Sequence, residues 1–189
     1  MEYKVVNVVN NDRNIDLKAV LELAKRKHEG QFRDDGLPYI VHPVRVAKLV
    51  AQHKRSKNYK LLLSAALLHD TLEDTYTSVK ELYDFFGKNS QVPSLIVELT
   101  TANFVPKLIG KAEYLAQKME YMTSYALIIK LCDRLDNITD LAGVTEEKRK
   151  RTLSDTRYII DYLRKNRELT KTHVELIAEI EKILNQYGF

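Results

Sequence analysis

The stretch Leu61-Leu62-Leu63-Ser64-Ala65-Ala66-Leu67-Leu68 is apolar nearly all round and runs straight into His69-Asp70. A helix without a polar face is stable only when other elements surround it. The run therefore calls for a multi-helix globule with this segment at its centre. It also delivers two metal-ligand side chains to the edge of that centre. Leu, Ile, Val and Ala are plentiful, while Gly is 6 and Pro is 4, a mix that favours an all-α chain over a β-sandwich. No βαβ alternation, internal repeat, low-complexity tract or dividing linker interrupts it. At 189 residues the chain has the length of one domain and can bury a core without staples.

Helical periodicity divides the chain into one bundle of about eight or nine helices. Leu17, Val20, Leu21 and Ala24 mark the first, over about 16–28. Gly30 stops it, and Asp34-Asp35-Gly36-Leu37-Pro38 forms a turn. Pro43 suits the first position of a second helix, with Val46, Leu49 and Val50 on its buried face. Asn58 is expected to cap a third, running from about 59 to 69 or beyond. Ser78 and Glu81 read as a capping box for a fourth, which Gly87 ends. A fifth spans about 90–101, with Pro93 in its first turn. A loop is expected over 103–110, carrying Pro106 and Lys107, and then helices over about 111–122, 124–141, 146–166 and 171–186. Residues 1–13 read as a short irregular tail or cap.

Composition narrows the function. The single cysteine, Cys132, excludes an internal disulfide framework and a thiolate zinc cluster within one chain, and suits a reducing cytoplasm. No apolar run approaches the roughly 18 residues of a membrane span. The start, Met1-Glu2-Tyr3-Lys4-Val5-Val6, lacks a signal peptide's apolar region, so a cytoplasmic protein without a membrane partner is expected. The net charge of +4 suits a small anionic substrate. With no basic stripe interleaved with aromatics, it does not argue for nucleic acid.

His42 lies upstream in Tyr39-Ile40-Val41-His42-Pro43, and Asp133 downstream in Lys130-Leu131-Cys132-Asp133-Arg134. Asp133 sits in a largely apolar helix, where an unpaired carboxylate is costly and a cation would offset that cost; pairing with Arg134 or another base is the plainer alternative. His42, His69, Asp70 and Asp133 together form a candidate divalent-cation site of imidazole nitrogen and carboxylate oxygen, suited to manganese, iron, zinc or magnesium. His69 and Asp70 point about 100° apart on a regular helix, so both reach one ion only where the backbone departs from ideal. If the helix continues, Glu73 and Asp74 fall four residues after His69 and Asp70 and overhang the ion. That is the place for groups that orient or deprotonate a water nucleophile. Without the metal they are a solvated acidic helix end.

These residues resemble a known family. The segments His28-Glu29-Gly30-Gln31-Phe32-Arg33, Gly36-Leu37-Pro38-Tyr39-Ile40-Val41-His42-Pro43, Ala65-Ala66-Leu67-Leu68-His69-Asp70-Thr71-Leu72-Glu73-Asp74-Thr75 and Lys130-Leu131-Cys132-Asp133-Arg134-Leu135-Asp136-Asn137 are similar to those of the small alarmone hydrolases. These are single-domain relatives of the hydrolase half of the RelA/SpoT enzymes, within the HD-domain metal-dependent phosphohydrolases. The likeness runs over about 15–165, so the expectation is one HD-type domain over 1–189. No synthetase-like or regulatory segment follows, so hydrolysis alone is implied.

The resemblance implies an enzyme that removes the 3′-pyrophosphate of guanosine tetraphosphate and pentaphosphate, with one divalent ion, usually manganese. It assigns the ion to His42, His69, Asp70 and Asp133 and water activation to Glu73 and Asp74. Arg33 is implied to pack on the guanine, Asn137 to contact the nucleoside, and Lys107 and Arg149 to meet the phosphates. Alternatives are a phosphatase of another phosphorylated nucleotide such as NADPH, or a non-catalytic nucleotide-sensing module, against which the intact Glu73-Asp74 pair argues. Two positions depart from the family pattern. Asp34 stands where many relatives carry a base, and would oppose the substrate's phosphates or pair with Arg33. Cys132 stands for the usual alanine before the metal-binding aspartate, as a packing residue or an oxidation-sensitive point.

Overall fold

The computed structural model describes residues 11–101 and 105–189, and among them the regular elements are all helices. In order these are α1 (Leu17–Lys27), α2 (Val41–His53), α3 (Tyr59–Leu68), α4 (Thr71–Asp74), α5 (Val79–Phe86), α6 (Val92–Leu99), α7 (Val105–Ile109), α8 (Lys111–Tyr121), α9 (Ser124–Thr139), α10 (Glu146–Asn166) and α11 (Lys171–Gln186). Nine of these eleven run eight residues or longer, so the expected all-α bundle of about eight or nine helices is found. α4 and α7 are the additional short pieces. α7 falls where a loop was expected over 103–110; from Val105 to Ile109 the chain is helical, and 102–104 lie outside the described residues. The expected tail over 1–13 is described only from residue 11, where Asn11–Asn14 form a 3-10 turn. Asp12 there accepts from Ser90 Oγ at 2.6 Å and from the Gln91 N–H at 3.1 Å, and so serves as a cap for α6.

α3 and α9 form the centre. α3 packs on α1, α2, α6 and α9, and α9 packs on α2, α3, α6, α10 and α11. Being enclosed on so many sides is what an apolar run without a polar face requires. Leu61, Leu62, Ala65, Ala66 and Leu68 of α3 are buried, and so is every residue of α9 from 126 to 133, Lys130 and Asp133 included.

Local signals were met unevenly. Asp16 caps α1 by accepting from the Lys18 N–H at 2.9 Å. Ser78 accepts from the Glu81 N–H, but the Glu81 carboxylate pairs with Lys27 at 2.7 Å, so only half of the expected capping box forms. Asn58 does not cap α3. Its backbone (φ −98°, ψ 29°) is not extended, and its own N–H donates to Ser56 Oγ. α2 begins at Val41, which puts Pro43 third rather than first; this is tolerated because the opening N–H groups of a helix have no partner to lose.

The decisive local feature is the break after Leu68. His69 Nδ1 bonds the Ala66 carbonyl at 2.8 Å and Thr71 Oγ1 donates to the Leu68 carbonyl at 2.7 Å. Two carbonyls that the end of α3 leaves without helical partners are thus satisfied by side chains. Asp70 then starts α4 without using its own carboxylate as a cap.

The turn at 33–37 is clasped from the α9–α10 connection and the first turn of α10. A Cβ on Gly143 (φ +72°) would collide with the Asp34 carbonyl group, and Lys148 pairs with the Asp34 carboxylate at 2.7 Å. Gly143→Ala should therefore destabilise the fold by about 1–3 kcal/mol through strain and forced separation of the two segments. Gly30→Ala, also at positive φ but with nothing within 4 Å, should cost less. Thermal melts of the two variants check this, and equal losses would show that the clasp contributes nothing.

Candidate active site

Four donor side chains meet at the break. His42 comes from the first turn of α2, His69 and Asp70 from the α3–α4 junction, and Asp133 from α9. His42 Nε2 lies 3.3 Å from Asp133 Oδ1 and 3.5 Å from Asp70 Oδ2. His69 Nε2 lies 3.0 Å from Asp70 Oδ2 and 3.8 Å from Asp133 Oδ1. His42, His69 and Asp133 each offer a donor atom within 4.8 Å of the other two. Asp70 falls outside that mutual limit, yet its Oδ2 faces both imidazoles. Both residues keep right-handed helical dihedrals (His69 φ −60°, ψ −31°; Asp70 φ −97°, ψ −5°), but they lie in the turn between α3 and α4, where the regular helix has ended.

The rings are oriented from behind. His42 Nδ1 bonds Asp136 Oδ2 at 2.7 Å, and His69 Nδ1 bonds the Ala66 carbonyl. A carbonyl only accepts, so Nδ1 of His69 carries a proton, and with an ion bound the neutral ring would present its Nε2 lone pair to the cluster. That Nε2 is buried and has no hydrogen-bond partner. A buried, unsatisfied nitrogen facing two carboxylates fits a cation, and nitrogen and oxygen donors without a thiolate fit a divalent transition ion.

Charge in the metal-free protein points the same way. Burial pushes the His42 imidazolium down, but Asp133, Asp136 and Asp70 outweigh it and raise the pKa to about 11. Burial likewise opposes charge on His69, and Asp70 and Asp133 raise it to about 9. Burial would raise Asp70 and Asp133, but His69 and His42 hold the first, and Lys130 and both imidazoles the second, well below the usual carboxylate range. Protons therefore balance the carboxylates where a cation would otherwise do so.

A cavity of about 370 Å³ opens onto the cluster. Glu73 and Asp74 line it, although α3 ends at Leu68 and the expected continuous helix is absent. Their approach rests on other contacts. Glu73 Oε1 accepts from the Thr101 N–H. The Tyr39 hydroxyl lies 2.8 Å from Asp70 Oδ2 and 3.1 Å from Asp74 Oδ2, and so ties the two carboxylates together. Gln31 Nε2 donates to the Asp74 carbonyl at 2.7 Å, and His28, bonded to Gln31, stacks on Tyr39 at 4.7 Å. Burial, Asp70 and Asp74 all push the Tyr39 phenol far up, so it remains protonated.

Of the expected substrate residues, Lys107 and Asn137 line the cavity. Asn137 Nδ2 also donates to Asp133 Oδ1 at 2.6 Å, which ties it to the cluster as well as to the open space. Arg33 and Arg149 are not among the lining residues. Arg33 lies 3.5 Å from Asp140, which also binds Arg45; Arg149 is on α10, its Nε buried without a partner. Asp34 neither faces the cavity nor pairs with Arg33, because Lys148 holds it. Cys132 is fully buried, and burial foremost, then Asp133, pushes its thiol up, so it is a packing residue and a poor nucleophile. Sequence reasoning missed Tyr39, Gln31, Lys111 and Lys130, and read Arg134 only as a partner for Asp133. Lys130 had a signal, since it sits one turn before Asp133 on one helix face. Lys111 had none.

The family model described as "HD domain" matches residues 20–168. The chain belongs to the HD domain family. It is 40% identical over 128 residues to the human guanosine-3′,5′-bis(diphosphate) 3′-pyrophosphohydrolase MESH1, covering 67% of this chain and 69% of that one. It is 36% identical over 150 residues to the guanosine-3′,5′-bis(diphosphate) 3′-pyrophosphohydrolase of Aquifex aeolicus, covering 75% of this chain but only 20% of that relative. Several of the curated relatives are thus about five times longer than the stretch they share with this chain. A solved structure of a metazoan SpoT ortholog that hydrolyzes ppGpp superposes with a TM-score of 0.76 at 26% identity, covering 100% of this chain and 99% of that one. The resemblance to the hydrolase half of RelA/SpoT is therefore borne out. Among the described residues, no helix is long and apolar enough to cross a membrane.

Proposed function

We propose that this HD-family protein hydrolyses the 3′-pyrophosphate of guanosine tetraphosphate and pentaphosphate, releasing pyrophosphate with GDP or GTP. The observation that carries the reading is the convergence of the His42 and His69 Nε2 atoms with Asp70 and Asp133 beneath a cavity lined by Glu73 and Asp74. The relatives' names supply the substrate class, and the basic residues Lys107, Lys111, Lys130 and Arg134 on the same cavity suit a polyanion. Imidazole and carboxylate donors suit manganese, iron, zinc or magnesium, and of these we infer manganese as the working ion because the family resemblance implies it. Held by these four residues, such an ion would polarise the phosphoryl group and lower the pKa of a water.

The remaining work falls to side chains. Asp136 and the Ala66 carbonyl fix the imidazole tautomers. Tyr39 and the Thr101 N–H hold Asp74 and Glu73 at the cavity, where they orient and deprotonate the attacking water. A small anionic guanine nucleotide in the cytoplasm is the partner this implies.

Incubating the manganese-loaded protein with guanosine tetraphosphate, guanosine pentaphosphate, NADPH and GTP, and following products by chromatography, tests the proposal. Release of pyrophosphate from the two alarmones, with GTP left intact, is expected. Turnover of NADPH alone would replace the guanosine reading with that of a different nucleotide phosphatase.

A further inference from the structure

Among the described residues, Lys130 is the only buried Lys or Arg. An ammonium taken out of water must be offset by partners. Its Nζ lies 3.3 Å from Asp133 Oδ2, while Oδ1 of the same carboxylate faces the two imidazoles. Burial opposes the charge on Lys130, but Asp133, Asp70 and Glu73 outweigh it and keep the side chain protonated. An ammonium has three N–H donors, and Asp133 is its one ion-pair partner among the described residues. The group also lines the cavity above the cluster.

A fixed positive charge beside the ligands of a cation weakens the hold on that cation, so a lysine at this position works against metal binding. That arrangement becomes favourable when an anion binds the ion and the ammonium together. The cavity's other bases, Lys107, Lys111 and Arg134, sit on more exposed side chains, whereas Lys130 is fixed by burial. Preorganised charge of this kind favours the state in which negative charge develops on a phosphoryl group, because nothing has to reorganise.

We propose that Lys130 is a further catalytic residue, donating a hydrogen bond from the Asp133 side of the cavity to a non-bridging oxygen of the pyrophosphate group under attack. The inference deepens the proposed hydrolysis and rests on it. Lys130 transfers no proton; it stays an ammonium throughout and acts through its charge. A neutralising strut for Asp133 is the competing role, and the two differ in sign. Without a strut, Asp133 loses its orientation and metal binding weakens. Without a competing charge, metal binding tightens.

The test uses Lys130→Met and Lys130→Arg in the full chain. Manganese affinity and the affinity of the manganese-loaded protein for inorganic pyrophosphate are measured by calorimetry, together with turnover. Lys130→Met should tighten manganese binding severalfold or more. It should weaken pyrophosphate binding by at least about tenfold and lower kcat by about 10²-fold, with a smaller change in KM. Lys130→Arg keeps the charge and should return manganese affinity to near wild type while recovering part of the pyrophosphate binding. If Lys130→Met instead binds manganese more weakly and pyrophosphate as well as wild type, Lys130 is a strut and the proposal falls. Neither binding measurement involves guanosine. A wild-type protein that leaves the alarmones intact would overturn the proposed function, while the manganese and pyrophosphate data would still decide the role of Lys130.

Discussion

Chelating the divalent ion should abolish hydrolysis and lower the thermal midpoint, and the size of that drop should grow with pH. His42 and His69 carry raised pKa values of about 11 and about 9 in the metal-free fold, against about 6.5 in an unfolded chain. Stability from their imidazolium forms is fully present below about pH 6.5 and is lost as pH rises through 9 and then 11. The metal-loaded protein has the opposite tendency, because the ion takes neutral imidazoles and displaces those protons, so its affinity climbs over the same range. At a hundredfold excess of ion over its dissociation constant, the linkage is about 2.7 kcal/mol. For a chain of this size that is a shift of roughly 5–11 °C. Scanning calorimetry with and without chelator at pH 6.5 and pH 9 measures both effects. His69→Ala and Asp133→Ala should reproduce the chelated state at either pH, with metal and activity lost together. An active protein indifferent to chelators would overturn the metal assignment.

The parts of this molecule that a sequence can show are those written in short-range patterns. The apolar run into His69-Asp70 located the central helix, and helical spacing placed α8 to α11 to within about two residues. His42, His69, Asp70 and Asp133 were found because each is a ligand-type residue in an otherwise apolar setting. What the pattern concealed depends on local backbone angles, as at Asn58, and otherwise on contacts distant in sequence. Asn58 was expected to cap α3, but Ser56, two residues earlier, takes its N–H. Arg33 and Asp34 were expected to concern the substrate, yet their partners, Asp140 at the end of α9 and Lys148 in the first turn of α10, lie more than 100 residues away. α7 carries Pro106 near its start, a residue that reads as a loop signal in sequence but is compatible with a first helical turn. Lys130 was hidden because a lysine in an apolar run is ordinarily assumed to reach solvent; only the packing of α9 on five other helices shows that it cannot.

Glu73→Gln and Asp74→Asn should separate chemistry from metal binding. Neither carboxylate is within the His42, His69 and Asp133 group, and each is held from outside it, by the Thr101 N–H and by the Tyr39 hydroxyl. Metal content should therefore stay near wild type in both variants. Each substitution keeps the shape of the side chain and removes a proton acceptor, so kcat should fall by about 10²-fold or more. The two should differ in a second respect. Glu73→Gln retains a side-chain carbonyl oxygen for the Thr101 N–H, so the cavity wall at 101 should be undisturbed and KM nearly constant. Asp74→Asn introduces an amide nitrogen that can turn toward Asp70, where it competes with Tyr39 for that carboxylate, so a modest weakening of metal affinity should accompany the loss of rate. Metal analysis and steady-state kinetics on the two purified variants decide it. Wild-type turnover in both would reduce Glu73 and Asp74 to a polar helix end, and loss of the ion from both would make them part of the metal site itself.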